Sequence, residues 1–172
     1  MLKHQDELKK ECENSLKYAD RLIEKIRTLS HGLTPLSLNH LGLTASLQSM
    51  IEDFSKYSNL KIQKDIANID RLFPPLAEIT IYRIFQEIFT NIEKHSNADD
   101  VKIEIKKYRA NVTFWIEDNG KGFDLKKLEL KYPNEIGLGL ASIEERVRML
   151  GGRFEVQSQL NKGTKISFTI PF

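Results

Sequence analysis

Small and apolar residues recur at alternating steps of four and three along the first part of the chain: Leu8, Cys12, Ser15, Ala19, Leu22, Ile26, Leu29 and Leu33. That spacing is the 3.5-residue period of a helical seam, and it predicts a long helix of the kind found in coiled coils and bundles. Leu16 and Ile23 widen the seam, so more than one face is expected to be covered. Lys9, Lys10, Glu13, Lys17, Asp20, Arg21, Glu24 and Lys25 fill the remaining faces as solvated positions do. Gly32 and Pro35 interrupt the pattern. A second helix is expected from about Ser37 to Tyr57, with Leu41, Leu47, Met50, Ile51 and Phe54 as its apolar stripe. The first seam has no helix of equal length to pair with inside the chain, so its expected partner is a second copy or further sequence.

From Lys61 the periodicity changes. Leu60 to Ile66 alternates as a strand does, and Pro74-Pro75 opens a largely apolar helix running to about His95, since proline suits a first helical turn. Val101 to Lys107 and Val112 to Glu117 alternate as a hairpin pair joined near Ala110. Residues 119 to 137 are polar and punctuated by Gly120, Gly122, Pro133 and Gly137, which predicts a long loop of the kind that carries function. Leu138 to Leu150 reads as a helix stopped by Gly151-Gly152. Phe154 to Ser158 and Lys165 to Ile170 read as a closing strand pair around Asn161-Lys162-Gly163. This order predicts an α+β fold, a two-layer α/β sandwich with helices on one face of a mixed sheet, preceded by the long N-terminal helix. The expected division is a helical region over 1–57 and a sandwich domain over 58–172.

Composition narrows the classes. The 172 residues include 26 basic and 24 acidic side chains, too balanced for a surface that tracks nucleic-acid phosphates. The single Cys12 leaves no internal disulfide and no cysteine-based zinc site. No apolar run is long enough to span a bilayer, and no signal-peptide core opens the chain, so a cytoplasmic location without membrane contact is expected, as a free protein or as the cytoplasmic end of a longer membrane protein.

Four segments carry candidate chemistry. In Gln86-Glu87-Ile88-Phe89-Thr90-Asn91-Ile92-Glu93-Lys94-His95, a regular helix would align Glu87, Asn91 and Lys94 at i, i+4 and i+7. Polar groups on an apolar helix need a reason; Asn91 offers an oxygen to a hard cation such as Mg²⁺, and Lys94 and His95 suit phosphate oxygens. Asp118-Asn119-Gly120-Lys121-Gly122-Phe123 follows a strand, reads as an ordinary polar turn, and equally suits a ligand that approaches the backbone closely. Gly137-Leu138-Gly139-Leu140 opens a helix, where free N–H groups favour phosphate. Lys162-Gly163-Thr164-Lys165 starts a strand, with Thr164 able to donate to a base or to Asp118.

In combination, these segments resemble the ATP-binding domain shared by histidine kinases, gyrases, heat-shock chaperone ATPases and mismatch-repair ATPases, the Bergerat fold. The match is closest to two-component sensor histidine kinases of the nitrate- and membrane-fluidity-sensor subfamily. It continues through Ile143, Glu145-Arg146-Val147 and Leu150-Gly151-Gly152 to Gly163-Thr164 and Pro171, covering about residues 27 to 172. The resemblance implies ATP and Mg²⁺ as cofactors. It implies that Asn91 coordinates Mg²⁺, that Glu87 assists in-line transfer, and that Lys94 and His95 contact the nucleotide. Asp118 would bind the adenine amino group, Gly120 and Gly122 would shape the pocket, and Thr164 would support the base. Residues 123 to 139 would form a lid, with Gly137 and Gly139 as hinges, and Gly137, Leu138, Gly139 and Leu140 would contact the nucleotide. Homodimerisation through the N-terminal helical region and a response-regulator partner are implied as well.

The subfamily's phosphoacceptor is a histidine followed by an acidic residue. None of His4, His31, His40 and His95 has that context, so the acceptor is expected upstream of this chain and the first helix is expected to be the second of a dimerisation hairpin. Two other readings remain at this stage: an anti-sigma-type serine kinase of the same fold, and a non-catalytic dimerisation module with a degenerate pocket.

Overall fold

A computed structural model describes residues 36–58, 60–124 and 137–172. The expected N-terminal helix, with its seam and with His4, Cys12 and His31, lies outside the described residues, as does most of the expected lid. The described elements are α1 (Leu36–Ser58), β1 (Lys61–Ile66), α2 (Pro75–Asn91), β2 (Asp100–Lys107), β3 (Asn111–Asp118), α3 (Gly137–Met149), β4 (Arg153–Ser158) and β5 (Thr164–Pro171). They follow the sequence expectation closely in type and order.

The five strands form one sheet in the order β1-β2-β3-β5-β4, with β1 parallel to β2 and the other neighbours antiparallel. Alternation then sorts the side chains. Val101, Ile103 and Ile105 of β2, Val112, Phe114 and Ile116 of β3, and Ile166, Phe168 and Ile170 of β5 are buried on the face that meets the helices. Lys102, Glu104, Lys106, Thr113, Trp115 and Glu117 project from the opposite face, where Lys102 and Lys106 flank Glu104 at 2.6 and 2.7 Å and hold its carboxyl down to about 2. One apolar and one solvated face make this a two-layer α+β sandwich with a mixed sheet.

α2 is the central helix. Proline at its first positions costs no hydrogen bond, and the Pro74 carbonyl accepts from the N–H groups of Ala77 and Glu78 at 2.9 and 3.1 Å. Its Ile81, Ile84, Phe85 and Ile88 are fully buried, and Phe85 meets Phe114 and Phe168 edge-on at 5.9 and 6.1 Å. Burying such side chains stabilises by about 1.5–3 kcal/mol each, which fixes this helix to the sheet.

Two details differ from the sequence expectation. The Ser37–Tyr57 helix is broken at Gly42, whose φ of 83° is left-handed, so helical geometry restarts there. The Asp70 carboxylate accepts the Thr44 N–H at 2.8 Å while Thr44 Oγ1 accepts the Ile69 N–H at 3.0 Å, a reciprocal cap on the restarted helix. The break also turns Leu41, expected in the stripe, out to 58% exposure, whereas Leu43, Leu47 and Ile51 are buried. The segment Leu36–Ser58 thus belongs to the same compact unit as the sheet, Leu36–Phe172, although the sequence division placed it with the helical region. The second detail is the end of α2. Regular α-helix stops at Asn91, and Ile92–Ser96 form a π-helical turn closed by Asn97 in the left-handed region.

Candidate functional site

The expected site residues lie along one end of the sandwich, on three structural supports. The first is the last turn of α2. Ile88, Phe89 and Ile92 bury its inner side, which leaves Glu87 and Asn91 half-exposed on the outer side. Lys94 and His95 fall on the π-helical turn and are exposed. The i+7 alignment expected for Lys94 presumed a regular helix; the wider turn changes its direction relative to Glu87 and Asn91. Single π turns inside helices recur at functional sites, where they re-aim side chains.

The second support is the start of α3. Gly137, Leu138, Gly139 and Leu140 are its first four residues, whose N–H groups have no partner within the helix. Gly139 lies directly against α2. A Cβ there would stand 2.8 Å from Glu87 Oε1 and 3.2 and 3.3 Å from Asn91 Nδ2 and Oδ1. Any other residue would push both polar groups aside. The glycine therefore allows the positive end of a helix dipole to sit beside a carboxylate and an amide oxygen.

The third support is the end of β3. Asp118 shares a cross-sheet row with Val101, Thr164 and Ser158, all on the helix-facing side. It is only 6% exposed, a rare position for a carboxylate. Burial raises its pKa from 3.8, opposed by N–H groups of Gly120 and Thr164 that favour the charged form. The Gly120 N–H donates to Asp118 Oδ1 at 2.8 Å. Gly163 lets β5 close in: its φ is 81°, and a Cβ would overlap the Asp118 carbonyl oxygen at 1.8 Å. Gly122 similarly lies against the carbonyls of Gln159 and Gly163.

Ser96 joins the supports and was not singled out in the sequence. It is buried, its Oγ donates to the Ile92 carbonyl at 2.7 Å, and its own carbonyl accepts the Lys121 N–H at 2.7 Å. The π turn that follows Asn91 is thereby tied to the glycine segment that follows Asp118. Asn119, central to that segment in sequence, is structural: its Oδ1 accepts the N–H groups of Asp99 and Asp100 at 2.9 and 3.0 Å. Ser158 was also missed. Its Oγ lies 3.0 Å from Thr164 Oγ1 and accepts the Phe123 N–H at 2.9 Å. A paired register for the closing hairpin would have placed Ser158 opposite Thr164.

The donor chemistry suits one kind of ligand. A buried acceptor at Asp118 matches an amino-bearing base, and free helix N–H groups match phosphate. Among the described residues there is no cluster of three or more His, Cys, Asp or Glu that would hold a metal unaided. A hard cation here would take an oxygen from Asn91 and complete its shell with phosphate oxygens and water, which is how Mg²⁺ commonly binds.

The chain is similar to known proteins in sequence and in fold. Residues 77–172 match the family described as histidine kinase-, DNA gyrase B- and HSP90-like ATPase. The signal transduction histidine-protein kinase/phosphatase DegS of Brevibacillus brevis is 33% identical over 167 residues, 96% of this chain and 42% of that protein. The oxygen sensor histidine kinase NreB of Staphylococcus carnosus is 30% identical over 99% of this chain and 49% of its own length. The chain thus spans under half the length of these relatives. The histidine kinase domain of the Erythrobacter litoralis EL346 blue-light activated histidine kinase shares the fold, with TM-score 0.63 at 22% identity over 75% of this chain and 60% of that one. Acinetobacter baumannii histidine kinase AdeS does so with TM-score 0.60 at 20% identity over 92% and 80%. Among the described residues no helix is long and apolar enough to cross a membrane. The chain belongs to the histidine kinase-, DNA gyrase B- and HSP90-like ATPase family, as an ATP-binding catalytic domain homologous to those of sensor histidine kinases.

Proposed function

We propose that this domain binds ATP with Mg²⁺ and passes the γ-phosphoryl group to a histidine on a dimerisation hairpin, from which a response regulator receives it. The observation that carries the proposal is the approach of the α3 N-terminus, through Gly139, to Glu87 and Asn91. Asp118 accepts the adenine amino group, and Thr164 sits beside it in the same row. Asn91 would supply an oxygen to Mg²⁺, which when bound would supply positive charge against the phosphates. The first N–H groups of α3 hold phosphate oxygens, Lys94 adds positive charge at the rim, and His95 adds a ring N–H donor there. Glu87 orients the attacking imidazole by accepting its other ring N–H, which keeps the reacting nitrogen in line. The 3.5-residue apolar spacing of the sequence from Leu8 to Leu33 supports homodimerisation, with the response regulator docking on the dimerisation hairpin.

Transfer is tested by supplying the chain with a dimerisation hairpin that carries the acceptor histidine, together with radiolabelled ATP. Acid-labile, base-stable label on the hairpin is the expected result. Glu87→Gln should slow labelling at least tenfold while leaving ATP binding nearly intact, because general acid–base groups contribute roughly 10²–10⁴-fold. Acid-stable label on serine would favour the anti-sigma type of kinase, and binding with no transfer would favour a non-catalytic role.

A further inference from the structure

Ser158 stands two strands from Asp118 in the row that faces the helices, with Thr164 between them. Its Oγ makes three contacts: the Phe123 N–H at 2.9 Å, the Gly163 carbonyl oxygen at 3.1 Å and Thr164 Oγ1 at 3.0 Å. A serine hydroxyl has one hydrogen and two lone pairs. The Gly163 carbonyl can only accept, so the serine hydrogen goes there. The Phe123 N–H can only donate, so it takes one lone pair. The assignment that satisfies all three contacts has Thr164 donating its hydrogen to Ser158. Thr164 then offers lone pairs alone to any ligand beside Asp118, contrary to the expectation that it donates to a base or to Asp118.

We propose that Ser158 is a positioning residue for base selectivity. By holding the Thr164 hydrogen it makes Thr164 an acceptor, so Asp118 and Thr164 form an acceptor pair. An acceptor pair matches the exocyclic amino group of adenine, which has two N–H donors, and opposes the O6 acceptor of guanine. Without Ser158, the Thr164 hydroxyl turns freely and can donate to O6. The inference rests on the nucleotide reading above and adds the origin of its preference between purines.

The test is a competition titration of ATP and GTP analogues that resist hydrolysis, with Mg²⁺, on the unsubstituted chain and its variants. Ser158→Ala should lower the ATP-over-GTP preference about tenfold, the effect of one mispaired hydrogen bond. Ser158→Thr, which keeps the hydroxyl, should retain the preference. In a Thr164→Val background the Ser158→Ala change should have no further effect on the ratio, because the two side chains act as one unit. Should Ser158→Ala not fold, Ser158→Cys gives the same reading with a weak donor of similar size. An unchanged ratio, with both affinities falling together, would overturn the role given to Ser158 while leaving ATP binding standing. Absence of ATP binding by the folded, unsubstituted chain would overturn the nucleotide reading and this inference with it.

Discussion

Asp118 is held between opposing influences. Burial favours its neutral form, while the backbone N–H groups of Gly120 and Thr164 favour the carboxylate. The sign for ligand binding follows. The carboxylate is the better acceptor, and its folded-state pKa lies above 3.8, so ATP affinity should fall on acidification at a higher pH than an ordinary aspartate would dictate. The sign for stability is opposite: the uncharged form suits the empty fold, so ionising Asp118 as the pH rises costs stability. Asp118→Asn should therefore weaken ATP binding about tenfold and flatten its acid limb, while Tm near neutral pH stays level or rises. Isothermal calorimetry over a pH series and thermal denaturation check the two halves; a large loss of Tm would mark Asp118 as structural. Gly139 makes a parallel case. Gly139→Ala adds a good helix former and should raise helix stability by up to about 1 kcal/mol. The same methyl displaces Glu87 and Asn91, so phosphoryl transfer should drop severalfold or more. Unchanged phosphoryl transfer by the folded variant would contradict the role given to this contact.

At the scale of elements, α1 is secured to the catalytic unit by the exchange between Thr44 and the Ile69–Asp70 turn. Asp70→Ala removes a helix cap and should cost about 1–2 kcal/mol in chemical denaturation. ATP affinity of the folded fraction should not change, since Asp70 caps a helix and touches none of the nucleotide residues. Urea titration followed by tryptophan emission of Trp115 would report it. This break in α1 was illegible in the sequence. Leu41 and Leu47 suggested one continuous stripe, and a single glycine in a helical pattern does not announce a left-handed backbone. The partner that rewards it, Asp70, is distant in the chain. The strands were legible because alternation of Val101–Lys107 and Val112–Glu117 is a local property. The site was legible residue by residue through the Asn91, Asp118 and Gly139 segments. Its connections were less so: the register of the closing hairpin pairs Ser158 with Thr164, but the Ser96 carbonyl that accepts the Lys121 N–H joins segments that only the assembled backbone brings together. The π turn likewise depends on packing of Ile92 and Ser96 rather than on helix propensity.

For the whole molecule, ATP binding and phosphoryl transfer are separable, because transfer needs an acceptor in line with the γ-phosphate. None of the four histidines has the acceptor's sequence context, so the chain alone should show little acid-labile phosphohistidine even where it binds ATP well. Robust self-labelling abolished by His31→Gln would contradict that reading of the N-terminal helix. The three supports that meet at one end of the sandwich bear on nucleotide binding before they bear on signalling. Calorimetry with a non-hydrolysable ATP analogue and Mg²⁺ tests it most directly. Saturable binding at one site per chain is expected, weakened by Asp118→Asn and by Asn91→Ala in separate variants that both remain folded. A folded chain that takes up no nucleotide, or one that binds equally well with both residues replaced, would contradict it.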